Sequence, residues 1–329
     1  MFNIKLLNKL FQSAVIMGGL CLTLTANAAT ELKVAFNQSD KHPQYKALQY
    51  LSENLSKETD GRYKLNVYPN ELLGNQRASL ELVQNGAIQM AIVANPLVEN
   101  YDKTFSVIGL PYIYNSLEHQ EKVFTGNVLN ELFSSTKKFG FEVLGAYTAG
   151  ARSIYTKKSP VNSISDLKGK KIRVMQSDTM TKMLSCMGGT GVPMNQGEVY
   201  TAIQQGVLDG AENNEITYMD LKQYEVAPYY SRTKHLMVPD LLVVSEQFLS
   251  SMSPNDQATL KRLVKDSINK EYQLWREQVV VAEQFAKDKG AEFVEVDIKP
   301  FQDSCNTLQS DLIINGSQKE LYNKIISLN

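Results

Sequence analysis

The 329-residue sequence predicts an α/β protein of two similar lobes, with a ligand cleft between them and one long helix spanning both. Three observations predict it. Strands and helices alternate from Leu32 to Ala94, alternate again from Lys171 to Glu212, and give way to an unbroken helical pattern from Ser253 to Gly290. Such alternation is the mark of parallel strands flanked by helices, and open sheets of this kind take ligands at the carboxyl ends of their strands.

Leu32–Phe36 reads as a strand. Pro43–Thr59 reads as an amphipathic helix with Tyr45, Leu48, Leu51 and Leu55 on one face, stopped by Asp60-Gly61. Tyr63–Tyr68 alternates as a strand does; Arg77–Asn85 is a helix ended by Gly86, and Ile88–Ala94 is the third strand. Beyond Gly150, the second series runs strand Lys171–Met175, helix Thr179–Met187, short strand Val192–Met194, helix Glu198–Gln205 and strand Leu208–Glu212.

In the last segment Ser253 is an N-cap and Pro254 takes the first helical position. About 36 residues at 1.5 Å each make roughly 54 Å, longer than one lobe is wide, and heptad repetition is poor. No low-complexity linker separates the lobes. Ordered crossings near Tyr147–Ser153 and Leu236–Val243 are therefore expected to form a hinge. The expected lobes are 29–149 plus about 239–279, and 150–238 plus about 280–329.

Met1–Ala28 reads as a secretory signal peptide, with Lys5 and Lys9 in its basic region, an apolar stretch Leu10–Thr25 and an Ala26-Asn27-Ala28 cleavage site. Gln12, Ser13 and two glycines interrupt the stretch, which falls short of the ~20 apolar residues of a membrane span. Leu20 before Cys21 argues against a lipidated cysteine. The mature chain is expected to be exported. With formal net charge −1 the chain lacks the basic excess a nucleic-acid binder needs. Cys186 and Cys305 remain after cleavage, and the sequence leaves open a disulfide or two buried free thiols.

Catalytic signatures are missing. His42, His119 and His235 have no metal-ligand spacing, there is no GxSxG elbow or GxxxxGK[ST] loop, and Gly188–Gly191 reads as a turn. Asp209 and Glu212, three apart on a strand, face opposite ways and make a poor acid–base pair. No enzyme activity, metal or cofactor is expected.

The blocks Leu73-Gly74-Asn75-Gln76-Arg77, Leu110-Pro111-Tyr112, Gly150-Ala151-Arg152, Ile164 to Val174 (ISDLKGKKIRV), Val192-Pro193-Met194, Glu198 to Gly206 (EVYTAIQQG) and Asp209 to Asn214 (DGAENN) follow one another along the chain. In these blocks and their order the chain resembles the periplasmic solute-binding proteins of TRAP (tripartite ATP-independent periplasmic) transporters, which places it in the periplasm. The resemblance implies a two-lobed receptor, acting as a monomer, that closes on an organic acid and delivers it to a cognate membrane permease driven by an ion gradient. Arg173 matches the arginine that pairs with the ligand carboxylate, as a planar guanidinium can do through two parallel N–H bonds. Arg152 matches a second arginine near the same carboxylate, and Asn213 a ligand-binding asparagine. Asn37, Gln76, Asn95 and Gln176 fall at contact positions. Where the family commonly has Glu-Asn-Pro, this chain has Glu212-Asn213-Asn214, and Gln196 stands where sialate-binding members place an aromatic. Met175-Gln176-Ser177 with the Asn213-Asn214 pair looks most like members that bind hexuronates such as glucuronate or galacturonate. A C4-dicarboxylate or other organic acid, or a sensory use of the same cleft, are the alternatives.

Overall fold

A computed structural model describes residues 29–328; the leader and its cleavage site lie outside the described residues. Among those described, no helix is long and apolar enough to cross a membrane.

Eleven strands are described: β1 (Thr30–Ala35), β2 (Tyr63–Tyr68), β3 (Met90–Ala94), β4 (Phe141–Tyr147), β5 (Arg152–Thr156), β6 (Lys171–Val174), β7 (Thr190–Pro193), β8 (Gly210–Asn213), β9 (Tyr229–Leu236), β10 (Asp240–Ser245) and β11 (Glu292–Val294). They form two sheets, ordered β2-β1-β3-β10-β4 and β11-β9-β5-β8-β6-β7. The sequence series account for the parallel pairs β1–β2, β1–β3, β6–β7 and β6–β8. The sheets are nevertheless mixed: β10 runs antiparallel to β3 and β4, and β5 antiparallel to β8 and β9. The strands that break the parallel pattern are those next to the crossings. A four-residue link from β4 to β5 and a three-residue link from β9 to β10 carry the chain from one sheet to the other.

Central strands β3 and β10 are buried along their whole length, as expected of strands covered on both faces. Helix α1 (Pro43–Glu58) buries Ala47, Leu48, Leu51 and Leu55 against the first sheet. Helix α2 (Gln76–Gln84) is capped by Asn75, whose side chain accepts from the Ala78 amide, and α3 (Asp178–Cys186) by Ser177. The long helix α4 (Pro254–Asp288) has the predicted Ser253 cap, with the hydroxyl accepting from the Asp256 amide. Its first half buries Leu260, Leu263, Val264, Ile268 and Tyr272 in the first core. Trp275 and Ala282 then pack with Ile216, and Ala286 enters the aromatic core of Tyr155, Tyr218 and Tyr230. One helix therefore braces both lobes across the two crossings.

Gly150 sits in the first crossing at φ +61°, where a Cβ would lie 2.6 Å from Trp275 Cζ2. Gly150→Ala combines a left-handed backbone with a clash against a buried indole, and an overpacked site typically loses about 1–3 kcal/mol. Urea denaturation should show that loss; an unchanged midpoint would mean that the crossing is not packed tightly on α4.

Two sequence expectations change. The stretch 280–329 was assigned wholly to the second lobe, yet the last helix α5 (Gly316–Ile326) buries Leu321 and Ile325 in the first core. Its apolar spacing marks a helix but carries no address. The cysteines, left open between free thiols and a bridge, are bonded: Cys186 at the end of α3 joins Cys305, with the Cα atoms 5.2 Å apart and a sequence separation of 119. Closing a loop that long restricts the unfolded chain, so Cys186→Ser/Cys305→Ser should lose about 2–5 kcal/mol. Comparing denaturation of the oxidised wild type with that variant tests it; equal midpoints would count against a stabilising bridge.

Candidate functional site

The site grows from three adjacent strands of the second sheet. β8 lies between β5 and β6, with Ser153 opposite Asn213 and Arg173 opposite Ala211. This register sets Arg152, Glu212, Asn213 and Arg173 side by side near the strand ends, where the first lobe faces them.

Arg152 and Arg173 are both buried, but their chemistry differs. Arg152 donates from Nε to Glu212 Oε2 at 2.6 Å, from Nη2 to Glu212 Oε1 and to the Glu212 carbonyl at 2.8 Å each, and from Nη1 to Asn213 Oδ1 at 2.7 Å. Four of the five N–H groups of a guanidinium are thus committed. His235 Nε2 stands 3.5 Å from Glu212 Oε2. Burial pushes the Glu212 carboxyl up, but Arg152 and His235 outweigh it and hold the pKa at about 2. Glu212 is therefore the anchor of Arg152.

Arg173 donates from Nε to the Met194 carbonyl at 2.8 Å. Among the described residues it forms no ion pair, and its two Nη atoms have no hydrogen-bond partner. Burial depresses its pKa; Glu212 pulls the other way, and the like charge of Arg152 adds to the depression. A buried cation is costly unless it is paired. Here the four free N–H groups, in planar fork geometry, are suited to an external carboxylate.

Arg173 opens into a cleft of about 390 Å³ that also takes Gln76, Arg77, Gln176, Gln196 and Glu71. A second space of about 570 Å³ continues past Glu71 and Gln196 to Asn37, Tyr200 and Gln223. The lobes touch across this cleft. Asn37 Nδ2 donates to Gln196 Oε1 at 3.3 Å, Ser39 to Asp220 at 2.8 Å, Thr179 to Glu99 at 2.7 Å, and Asn100 to the Gln176 carbonyl at 3.1 Å. Asn37 Oδ1 and Gln196 Nε2 are buried without a protein partner, one an acceptor and one a donor at the seam. Gln76 anchors by accepting from the Ala94 amide at 2.8 Å, and its amide nitrogen remains free to donate.

Of the eight residues selected from sequence, Arg173, Gln76, Gln176 and Asn37 line the cleft. Arg152 and Asn213 stand behind it, joined to each other. Asn213 Oδ1 also accepts from the Asn214 amide at 2.9 Å. Asn214 is the N-cap of helix Glu215–Asp220, accepting from the Thr217 amide, so its side chain is spent on the backbone. Asn95 is fully buried, donates to the Phe105 carbonyl at 2.9 Å and is not among the residues lining the cleft. A polar residue just after a strand can turn inward to close a loop, and nothing in its spacing reveals which way it turns.

Glu71 and Arg77 were missed. Glu71 lies in the loop after β2 and Arg77 in the first turn of α2, outside its buried face, although Arg77 adjoins Gln76 in the Leu73–Arg77 motif. Backbone strain is the one local mark of Glu71: Asn70 and Glu71 have φ of +56° and +57°, a cost that non-glycine residues tend to bear at functional sites. Among the described residues no group of three or more His, Cys, Asp or Glu could hold a metal ion.

Two α/β lobes, two short crossings and a buried, unpaired arginine facing the seam define a solute-binding protein. The family model DctP, bacterial extracellular solute-binding protein family 7, matches residues 34–313, and the chain belongs to that family, the periplasmic binding component of TRAP transporters. An uncharacterized protein of Salmonella typhimurium, YiiZ, is 35% identical over 92% of this chain and 93% of its own length. Among solved structures, a TRAP periplasmic solute-binding protein from Anaerococcus prevotii with bound D-glucuronate is 36% identical. Its TM-score is 0.88, and the match covers 91% of this chain and 98% of that one. A second, from Xanthobacter autotrophicus with bound β-D-galacturonate, is 31% identical with a TM-score of 0.87, covering 90% of this chain and 99% of that one.

Proposed function

We propose that this chain is a periplasmic receptor for a hexuronate such as D-glucuronate or D-galacturonate, delivering it to a TRAP membrane permease, and that it binds its ligand without transforming it. The observation that carries the reading is Arg173, a buried guanidinium whose two Nη atoms lack a protein acceptor, in a cleft that also presents the side-chain amides of Gln76, Gln176 and Gln196. Its fork takes the carboxylate. Gln76, Gln176, Gln196 and Asn37 supply donors and acceptors for hydroxyls from both lobes, so a bound sugar acid ties the lobes together. Only a ligand that binds the closed arrangement better can favour it. Arg152 serves by holding Glu212 and Asn213 in place, with one N–H left to reach the ligand. The structures with bound uronates at 36% and 31% identity support the choice of acid.

In this reading the lobes pivot on the links 148–151 and 237–239, the leader is removed after Ala28, and the mature protein works as a monomer in the periplasm. A thermal-shift and calorimetric panel of glucuronate, galacturonate, gluconate, sialate and succinate tests the ligand. A shift with the uronates alone is expected, since a ligand at 100 times Kd adds about 2.7 kcal/mol. A response confined to succinate or sialate would overturn the assignment. Mass analysis of the recovered ligand tests the absence of turnover, and the intact mass of exported protein tests the cleavage site.

A further inference from the structure

Glu71 is the unexplained charge in the cleft. Its carboxylate forms no hydrogen bond or ion pair with any described residue, yet it borders both halves of the site. It reaches across to the other lobe: a Cβ on Gly197 would lie 2.9 Å from Glu71 Oε2, so the glycine there gives the carboxylate room. The loop holds it in position despite two consecutive left-handed residues, Asn70 donating its amide to the Gln38 carbonyl at 2.9 Å and Glu71 its own to the Phe36 carbonyl at 3.1 Å. Burial raises its pKa, Arg173 draws it down and Glu198 raises it, which places Glu71 within the same local field as the ligand arginine.

We propose that Glu71 sets ligand selectivity, accepting hydroxyl groups from a polyhydroxy monocarboxylate held by Arg173 and rejecting acids that carry a second carboxylate. The chemistry is direct. A half-buried carboxylate needs donors, which sugar hydroxyls supply, whereas a second ligand carboxylate would bring a like charge into a confined space. The cleft then reads the two ends of its ligand with opposite charges, Arg173 at the acid end and Glu71 along the hydroxyls.

This inference rests on the proposed sugar-acid function, and aldaric acids separate the two. Galactarate has the carbon skeleton of galacturonate with a second carboxylate at the other end. Calorimetry on wild type and Glu71→Gln with galacturonate, gluconate and galactarate gives the preference for mono- over dicarboxylate in each protein. The wild type is expected to favour galacturonate strongly, and Glu71→Gln, which keeps an acceptor and removes the charge, should narrow that preference by about tenfold or more. An equal preference in the two proteins, or a wild type that takes galactarate as tightly as galacturonate, would overturn the role of Glu71. If the wild type binds gluconate but not galacturonate, and Glu71→Gln narrows the preference for gluconate over galactarate, the hexuronate assignment fails while the role of Glu71 stands.

Discussion

Arg173→Met is expected to remove ligand binding while leaving the ligand-free protein as stable as before, within about 1 kcal/mol. Most substitutions that abolish binding also disturb the fold, so this separation is a sharp test. Arg173 is buried with one neutral hydrogen-bond partner, the Met194 carbonyl at 2.8 Å, and without a direct ion pair among the described residues it contributes little to the resting fold. Methionine fills similar space and removes the cost of burying charge; losing the Met194 hydrogen bond acts in the opposite direction. Ligand binding should suffer far more. Truncating one side of a buried, hydrogen-bonded charge pair costs about 2–5 kcal/mol, or roughly 30- to 4000-fold in Kd. Tm measured with and without ligand reads both halves of the prediction at once. A variant that still shifted with the acid would remove Arg173 from the clamp. One that lost several kcal/mol before ligand was added would show that the arginine has a structural partner.

Arg152 should behave in the reverse way. Arg152→Ala leaves Glu212 as a fully buried carboxylate, having lost its bidentate partner, and breaking such a pair costs about 3–5 kcal/mol. Replacing both residues with apolar ones of similar size should recover much of the loss, because the orphaned charge causes most of the damage. The acid dependence has a definite sign. Glu212 titrates at about 2 in the folded chain against an ordinary value of 4.5, so its contribution is complete above pH 4.5 and is lost as the pH falls from there towards 2. Wild type and Arg152→Ala should therefore differ most near pH 7, with the gap shrinking below pH 4.5 and closing only as the pH approaches 2. A gap that stayed constant with pH would mean that the Glu212 charge is not what Arg152 holds in place.

Arg152 and Arg173 also mark the limit of what their sequence motifs convey. Both were selected from sequence as carboxylate ligands, and both are buried, on strands that flank β8 from either side. The difference between them comes from Glu212, which no spacing in the sequence pairs with Arg152: antiparallel pairing of β5 with β8 puts Ser153 opposite Asn213 and so brings Arg152 against Glu212. Asn95 and Asn214 illustrate the same limit. Each is a polar residue after a strand, equally suited to a ligand or to a backbone cap, and the surrounding packing turns both towards the backbone. Glu71 lies outside every periodic pattern, and only its left-handed backbone and the approach to Gly197 expose it.

Local chemistry was enough for much else. Alternation, caps and glycine stops located the strands and helices of the two α/β series, Leu32–Ala94 and Lys171–Glu212, to within a few residues. Ser253, Pro254 and Gly290 bracketed the long helix, because capping and helix propensity act over one turn of chain. The lack of a low-complexity linker pointed to ordered crossings near Tyr147–Ser153 and Leu236–Val243, where the two short links stand. What needed the tertiary structure were relations between segments far apart in sequence: the antiparallel strands beside the crossings, the bond between Cys186 and Cys305, the docking of Gly316–Ile326 on the first core, and the choice of which arginine is left unpaired. A residue's own propensity is encoded where it stands, whereas its partner is chosen by burial and register, which exist only once the chain has folded.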